Sequence, residues 1–105
     1  MEKLKQMIIE ECKKYGYELL GENNSLEKNE VWLFLFNENQ VQELQVFDVR
    51  ISKDLEMVSM ALVIDLGSWN EATDSDINDL DDIRNNIANW LSVENLKEIQ
   101  KWLGE

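Results

Sequence analysis

The chain has 105 residues, 44% of them apolar, and a net charge of −12 from 22 acidic and 10 basic residues, with no histidine and no proline. Length and apolar content predict one packed domain over residues 1–105, without need of metal or disulfide staples. The charge argues against direct binding to nucleic acid, which needs a basic footprint to release counterions, and against anionic membrane surfaces.

From the N-terminus, residues 2–15 read as a helix. Leu4, Met7, Ile8, Cys12 and Tyr15 follow i, i+3, i+4 spacing and form one stripe, and Gly16 is placed to end it. A short strand is predicted in "YELLGE" (17–22) and a polar loop in "NNSLEKN" (23–29). "VWLFLF" (31–36) is a strand by composition, and "NENQ" (37–40) is a turn. In the strand at 41–51, Phe47, Val49 and Ile51 alternate with Asp48 and Arg50. "SKDLE" (52–56) turns the chain again, and 57–66 is a third long strand. Short connections between consecutive strands imply an antiparallel meander.

Thr73, Asp74 and Ser75 offer helix N-cap residues. Beyond them Ile77, Leu80, Ile83, Ile87, Trp90 and Leu91 make one apolar face. Val93, Leu96, Ile99, Trp102 and Leu103 make another, rotated by roughly half a turn. One straight helix cannot aim both at the same core, so a break is predicted near Ser92, which can cap the second helix. The predicted fold is α+β: an N-terminal helix, an antiparallel meander of three to four strands, and two C-terminal helices packed on the sheet. The strand 31–36 does not alternate, because Val31, Leu33 and Leu35 oppose Trp32, Phe34 and Phe36 and all six are apolar. Both faces of the sheet are therefore expected to be covered, by helices on each side in preference to a partner. Trp32, Trp90 and Trp102 are expected in the core.

The residues offer little to catalysis. Without histidine, general acid–base work near neutral pH loses its commonest group, serine and cysteine triads lose their base, and Cys/His zinc sites lose half their ligands. The four glycines are too scattered for a phosphate loop. No catalytic residue, cofactor or metal site is assigned. The only cysteine, Cys12, cannot form an internal disulfide, the N-terminus lacks a signal-peptide pattern, and no apolar run is long enough to span a bilayer. The expected location is cytoplasmic.

One segment stands out. Asp74, Asp76, Asp79, Asp81 and Asp82 fall within nine residues, and between Lys53 and Arg84 there are nine acids and no base. As a calcium loop starting at Asp74 the segment fails where the cage closes. Position 6 is Asp79 rather than glycine, and position 12 is Asn85 rather than a bidentate glutamate. At most a weak divalent-metal-binding domain is left, as a minor alternative. As a helix start, the aspartates would face the positive end of the macrodipole, with Asp79 and Asp82 on one ridge. Trp69, just before the acidic stretch, is a candidate exposed anchor, since tryptophan is enriched in binding hot spots.

In size, acidity and lack of catalytic residues the chain resembles the small acidic inhibitors of phages, including anti-restriction and anti-CRISPR proteins, and the acidic immunity proteins that neutralise toxic nucleases. The resemblance implies an inhibitor that binds a basic protein, one that itself handles nucleic acid, rather than an enzyme. Asp74, Asp76, Asp79, Asp81, Asp82 and Trp69 would form its partner-binding site, with no contact to nucleic acid or membrane. The rival expectation is a structural or assembly module forming a homodimer through the apolar sheet face of residues 31–36.

Overall fold

The computed structural model describes residues 2–37, 46–64, 67–68 and 72–104. Most of the turn predicted at 37–40, the first part of the strand predicted at 41–51, and Trp69 lie outside the described residues, as do the side chains of Trp102 and Leu103.

The first helix, α1 (Glu2–Lys13), forms where the apolar stripe predicts it, and buries Ile8, Ile9 and Cys12. It ends in a Schellman motif. The Tyr17 amide donates to the Cys12 carbonyl at 3.1 Å and the Gly16 amide to the Lys13 carbonyl at 3.0 Å. Gly16 takes φ +84°, which glycine reaches without strain, and a Cβ there would lie 3.0 Å from the Asn37 amide nitrogen. This cap turns the chain so that Tyr17 is fully buried and the next residues enter the sheet.

Four strands follow as an antiparallel meander: β1 (Glu18–Ser25), β2 (Glu30–Phe36), β3 (Val46–Ser52) and β4 (Met57–Ile64). β1 is longer than predicted and takes in Asn23, Asn24 and Ser25, residues with little strand preference of their own. Pairing with β2 overrides that preference, and a bulge between Leu19 and Gly21 adjusts the register. The β1–β2 and β3–β4 turns share one design. In each, a serine at the end of the first strand accepts a backbone N–H three residues on: Lys28 to Ser25 Oγ at 3.3 Å, and Leu55 to Ser52 Oγ at 3.2 Å. Each closes on a left-handed residue, Asn29 at φ +50° and Glu56 at +52°. The turns are adjacent, with the Lys53 amide donating to the Asn29 carbonyl at 3.2 Å.

The outer edge of β4 is shared by two short strands. β5 (Gly67–Ser68) pairs with Val63 and Ile64, and β6 (Thr73–Asp76) pairs with Met57 to Met60. β6 corrects the expectation that Thr73, Asp74 and Ser75 cap a helix. Aspartate disfavours strands, but the free backbone edge of β4 recruits the segment. Helix α2 (Leu80–Trp90) starts later, on Asp79 as N-cap. It breaks near Ser92, as predicted, before α3 (Val93–Gly104). Ser92 Oγ accepts the Asn95 amide at 3.1 Å.

The core lies between the helices and one face of the sheet. Val31, Leu33 and Leu35 of β2, Phe47, Val49 and Ile51 of β3, and Val58, Met60 and Leu62 of β4 pack with Ile8, Cys12, Ile83, Ile87, Trp90, Leu91 and Ile99. α2 is also tied to β6: Trp90 Nε1 donates to Thr73 Oγ1 at 2.7 Å and Asn86 Nδ2 to Ser75 Oγ at 2.6 Å. Lys5 Nζ, 3.2 Å from Glu22, links α1 to β1. The expectation of helices on both sheet faces is corrected. Buried residues of all three helices belong to this one core, and among the described residues no helix lies across the opposite face. Trp32, Phe34 and Phe36 are half-buried there, so the expectation of Trp32 in the core also falls.

Candidate functional site

The five aspartates do not share one helix face. Asp74 and Asp76 lie on β6 and alternate with Ser75, which is buried toward α2, so their carboxylates belong to the sheet face opposite the helices. Asp74 Oδ1 accepts the Ser59 hydroxyl at 2.7 Å. Asp76 Oδ1 accepts the Asn78 amide at 2.8 Å in an Asx turn. Asp79 Oδ1 accepts the Asp82 amide at 3.0 Å, so the pair read as neighbours on a helix ridge are a cap and the amide it caps. Only Asp81 and Asp82 sit in the first turn of α2, where the macrodipole favours them. Residues 74–85 form strand, turn and helix rather than one loop, and no group of three metal-ligating side chains occurs among the described residues.

These local bonds do not neutralise the segment. Asp74, Asp76, Asp79 and Asp81 remain exposed. Arg84 is shared between Asp81 Oδ1 and Glu11 Oε1 on α1, both at 3.6 Å. The β3–β4 turn, with exposed Asp54 and Glu56, adjoins the β6–α2 turn, where the Ile77 amide donates to the Glu56 carbonyl at 3.1 Å. The described acids of this stretch thus run along one border, from the β3–β4 turn through β6 to the start of α2, with Lys3 and Lys53 lining a depression beside Glu56 and Asn78.

The cap role yields a prediction. Asp79→Ala is expected to cost about 1 kcal/mol in urea unfolding and Asp79→Asn nearly nothing, because asparagine also accepts the N3 amide. Equal losses for both would mean that the charge, not the cap, carries the effect.

The sheet face opposite the helices carries the Trp32, Phe34 and Phe36 side of the strand expected to serve a homodimer, together with polar residues that were not selected from the sequence. Its rows follow from register: Trp32 beside Arg50 beside Ser59 beside Asp74, then Phe34 beside Asp48 beside Ala61, then Phe36 beside Val46 beside Val63. The Arg50 guanidinium stacks 3.9 Å from the Trp32 ring centroid, with its Nε 4.0 Å from Glu30 Oε1, and Trp32 Nε1 donates to Glu30. Phe34 meets Trp32 edge to face at 6.4 Å. Asp48 Oδ1 is shielded from solvent and has no hydrogen-bond partner. Burial raises the Asp48 pKa above the usual aspartate value, and the nearby Arg50 charge opposes the rise.

A raised carboxyl pKa means the folded state binds the proton more readily than the unfolded chain. The cost of the ionised group is then full above the folded pKa and relieved as pH falls toward the unfolded value of about 3.9. Asp48→Asn is therefore expected to raise the melting temperature at pH 7, with the gain vanishing in the acid range. A loss of stability at pH 7 would show that the carboxylate is well solvated or paired. Glu22 has the opposite sign, its pKa lowered by hydrogen bonds from Asn24 and Lys5, but it is exposed and contributes little.

Cys12 is fully buried with its thiol pKa pushed up to about 12 by burial, so it is a packing group rather than a nucleophile. Among the described residues no helix is long and apolar enough to cross a membrane. Comparison with known proteins finds no match: no family model, no curated protein and no solved structure is significantly similar to the chain.

Proposed function

We propose that the protein acts stoichiometrically, as an acidic inhibitor that occupies the basic site of a nucleic-acid-processing protein. The observation that carries this reading is the acidic border: exposed carboxylates on three consecutive structural pieces, β6, the turn after it and the start of α2, with Arg84 shared between Asp81 and Glu11 of α1. Carboxylates held on a rigid framework can take positions that phosphates would occupy in a basic groove. The field of a chain with net charge −12 would steer a basic partner toward it. Proteins of this kind include phage inhibitors of restriction or CRISPR nucleases and immunity proteins against nuclease toxins. The test is capture of partners from the native host at low and high salt, read by mass spectrometry. A basic nucleic-acid-binding protein released by salt supports the reading, and capture of none under either condition ends it.

A second reading has its own observation. Trp32, Phe34 and Phe36 are half-buried on a sheet face that no described helix covers. An assembly module could pair two such faces, although two copies would each bring a net charge of −12. Light scattering that finds a dimer insensitive to salt would favour this reading over the first.

A further inference from the structure

We propose that the hollow between α1, the β3–β4 turn and the β6–α2 connection binds a small apolar carboxylate, of the chemical class of medium-chain fatty acids. The site stands apart from the inhibitor reading above, and neither needs the other.

The hollow has a volume of about 430 Å³, within the range of roughly 300–1,000 Å³ in which proteins hold small molecules. Its apolar wall comes from two distant parts of the chain: Leu4 and Met7 of α1, then Ile77 of the connection and Leu80 at the start of α2. Leu4, Met7 and Ile77 pack against the core yet are only partly buried. Leu80 is 42% exposed. Backbone bonds hold the wall in place. The Ile77 amide donates to the Glu56 carbonyl at 3.1 Å, and the Asp79 amide to the Asp76 carbonyl at 3.0 Å. The hollow is therefore formed before a ligand arrives, and an apolar group that displaces water from these four side chains gains free energy.

The polar part of the lining gives the sign of the charge. Lys3 of α1 and Lys53 of the β3–β4 turn border the same hollow. Both are exposed, and neither forms an ion pair among the described residues, even with Glu56 of the same lining. Lys5, on the same helix as Lys3, is by contrast held by Glu2 and Glu22. Lysine stems can extend an apolar wall while their ammonium groups stay at its mouth in water. An apolar tail against the wall and an anionic head at the mouth use both features at once.

The surrounding charge narrows the head group. The chain carries a net charge of −12, and Glu56 lies in the lining. A singly charged carboxylate meets less repulsion there than a dianionic phosphate. An anion without a tail has only exposed lysines to hold it, and such pairs contribute little. An alkylammonium of the same length brings its charge against Lys3 and Lys53.

The experiment titrates the ¹⁵N-labelled protein with octanoate at pH 7 and about 150 mM salt, where more distant charges are screened. Saturable shifts centred on Leu4, Met7, Ile77 and Leu80 are expected, with a Kd on the order of 1 mM. Affinity should fall by about two- to fourfold for each methylene removed on going to hexanoate. Octylammonium should not saturate these residues. Changing Lys3 and Lys53 together to glutamine should weaken octanoate by about threefold or more without moving the melting temperature. Leu80→Asp should abolish binding. Its fold should survive, because an aspartate in the first turn of a helix is favourable. The proposal is overturned by the absence of saturable shifts at these residues, or by equal affinities for octanoate and octylammonium. Octanoate binding that ignores the lysine replacements, or shifts centred instead on Trp32, Phe34 and Phe36, would overturn it as well.

Discussion

Phe47→Ala is expected to remove about 3–5 kcal/mol of stability. Phe47 is fully buried at the centre of the sheet, paired with Leu35 on one side and Leu62 on the other. Its ring meets Tyr17 edge to face at 6.4 Å, an arrangement that adds about 0.5–1.5 kcal/mol beyond area burial. Strands on both sides are hydrogen-bonded to β3 and cannot close over the gap, so most of the cavity should persist. A domain of this size has a total stability of roughly 5–15 kcal/mol, so the loss is a large share. At about 4–8 °C per kcal/mol, the melting temperature should fall by at least about 12 °C. Leu26→Ser is the control: Leu26 is 97% exposed at the β1–β2 turn, and its replacement should stay within about 0.5 kcal/mol. A drop for Phe47→Ala no larger than the control's would mean that the core does not lie on this sheet face.

The second large effect concerns the partner. Changing Asp74, Asp76, Asp79, Asp81 and Asp82 together to asparagine takes the net charge from −12 to −7. Each hydrogen bond these side chains make uses a carboxylate oxygen as acceptor for Ser59, Asn78 or Asp82, and an asparagine oxygen can take the same place, while the exposed ion pair of Asp81 with Arg84 that is lost contributes little. The fold should therefore survive, with a melting temperature within a few degrees of the native chain. Affinity for a basic partner should fall by about 10- to 100-fold at physiological salt, chiefly through slower association, because rim charges act on encounter more than on residence. High salt should erase most of the difference. Equal association rates for the two chains at low salt would remove the acidic border from the binding surface.

Residue order alone determined much of the fold. The i, i+3, i+4 stripe of α1, the Gly16 stop, the apolar runs of β2 and β4, the alternation of Phe47, Val49 and Ile51, and the change of helix face at Ser92 all express local periodicity. Each appears in the structure where the spacing puts it. Net charge and the lack of histidine were equally legible. β6 was not, because apart from Thr73 nothing in "TDSD" favours a strand. It pairs only because β4 presents a free edge, and that edge exists only after the meander has formed. The fate of the aspartates followed from it: once residues 73–76 join the sheet, Asp79 becomes the cap and the imagined helix ridge is split between two elements.

Which face of the sheet meets the helices was also beyond the sequence. Both parities of β2 are apolar, so periodicity ranks neither. The choice is made by β3 and β4, whose fully buried residues Phe47, Val49, Ile51, Val58, Met60 and Leu62 fall on the parity of Leu33, while Asp48, Arg50 and Ser59 fall on that of Phe34. The same register sets Asp48 between Phe34 and Ala61, and its Oδ1 is shielded from water. A side chain's period along the strand tells which face it joins, but its dielectric surroundings depend on strands far away in sequence. That is why charge could be counted from the residues, and the buried Asp48 oxygen without a donor could be found only in the tertiary structure.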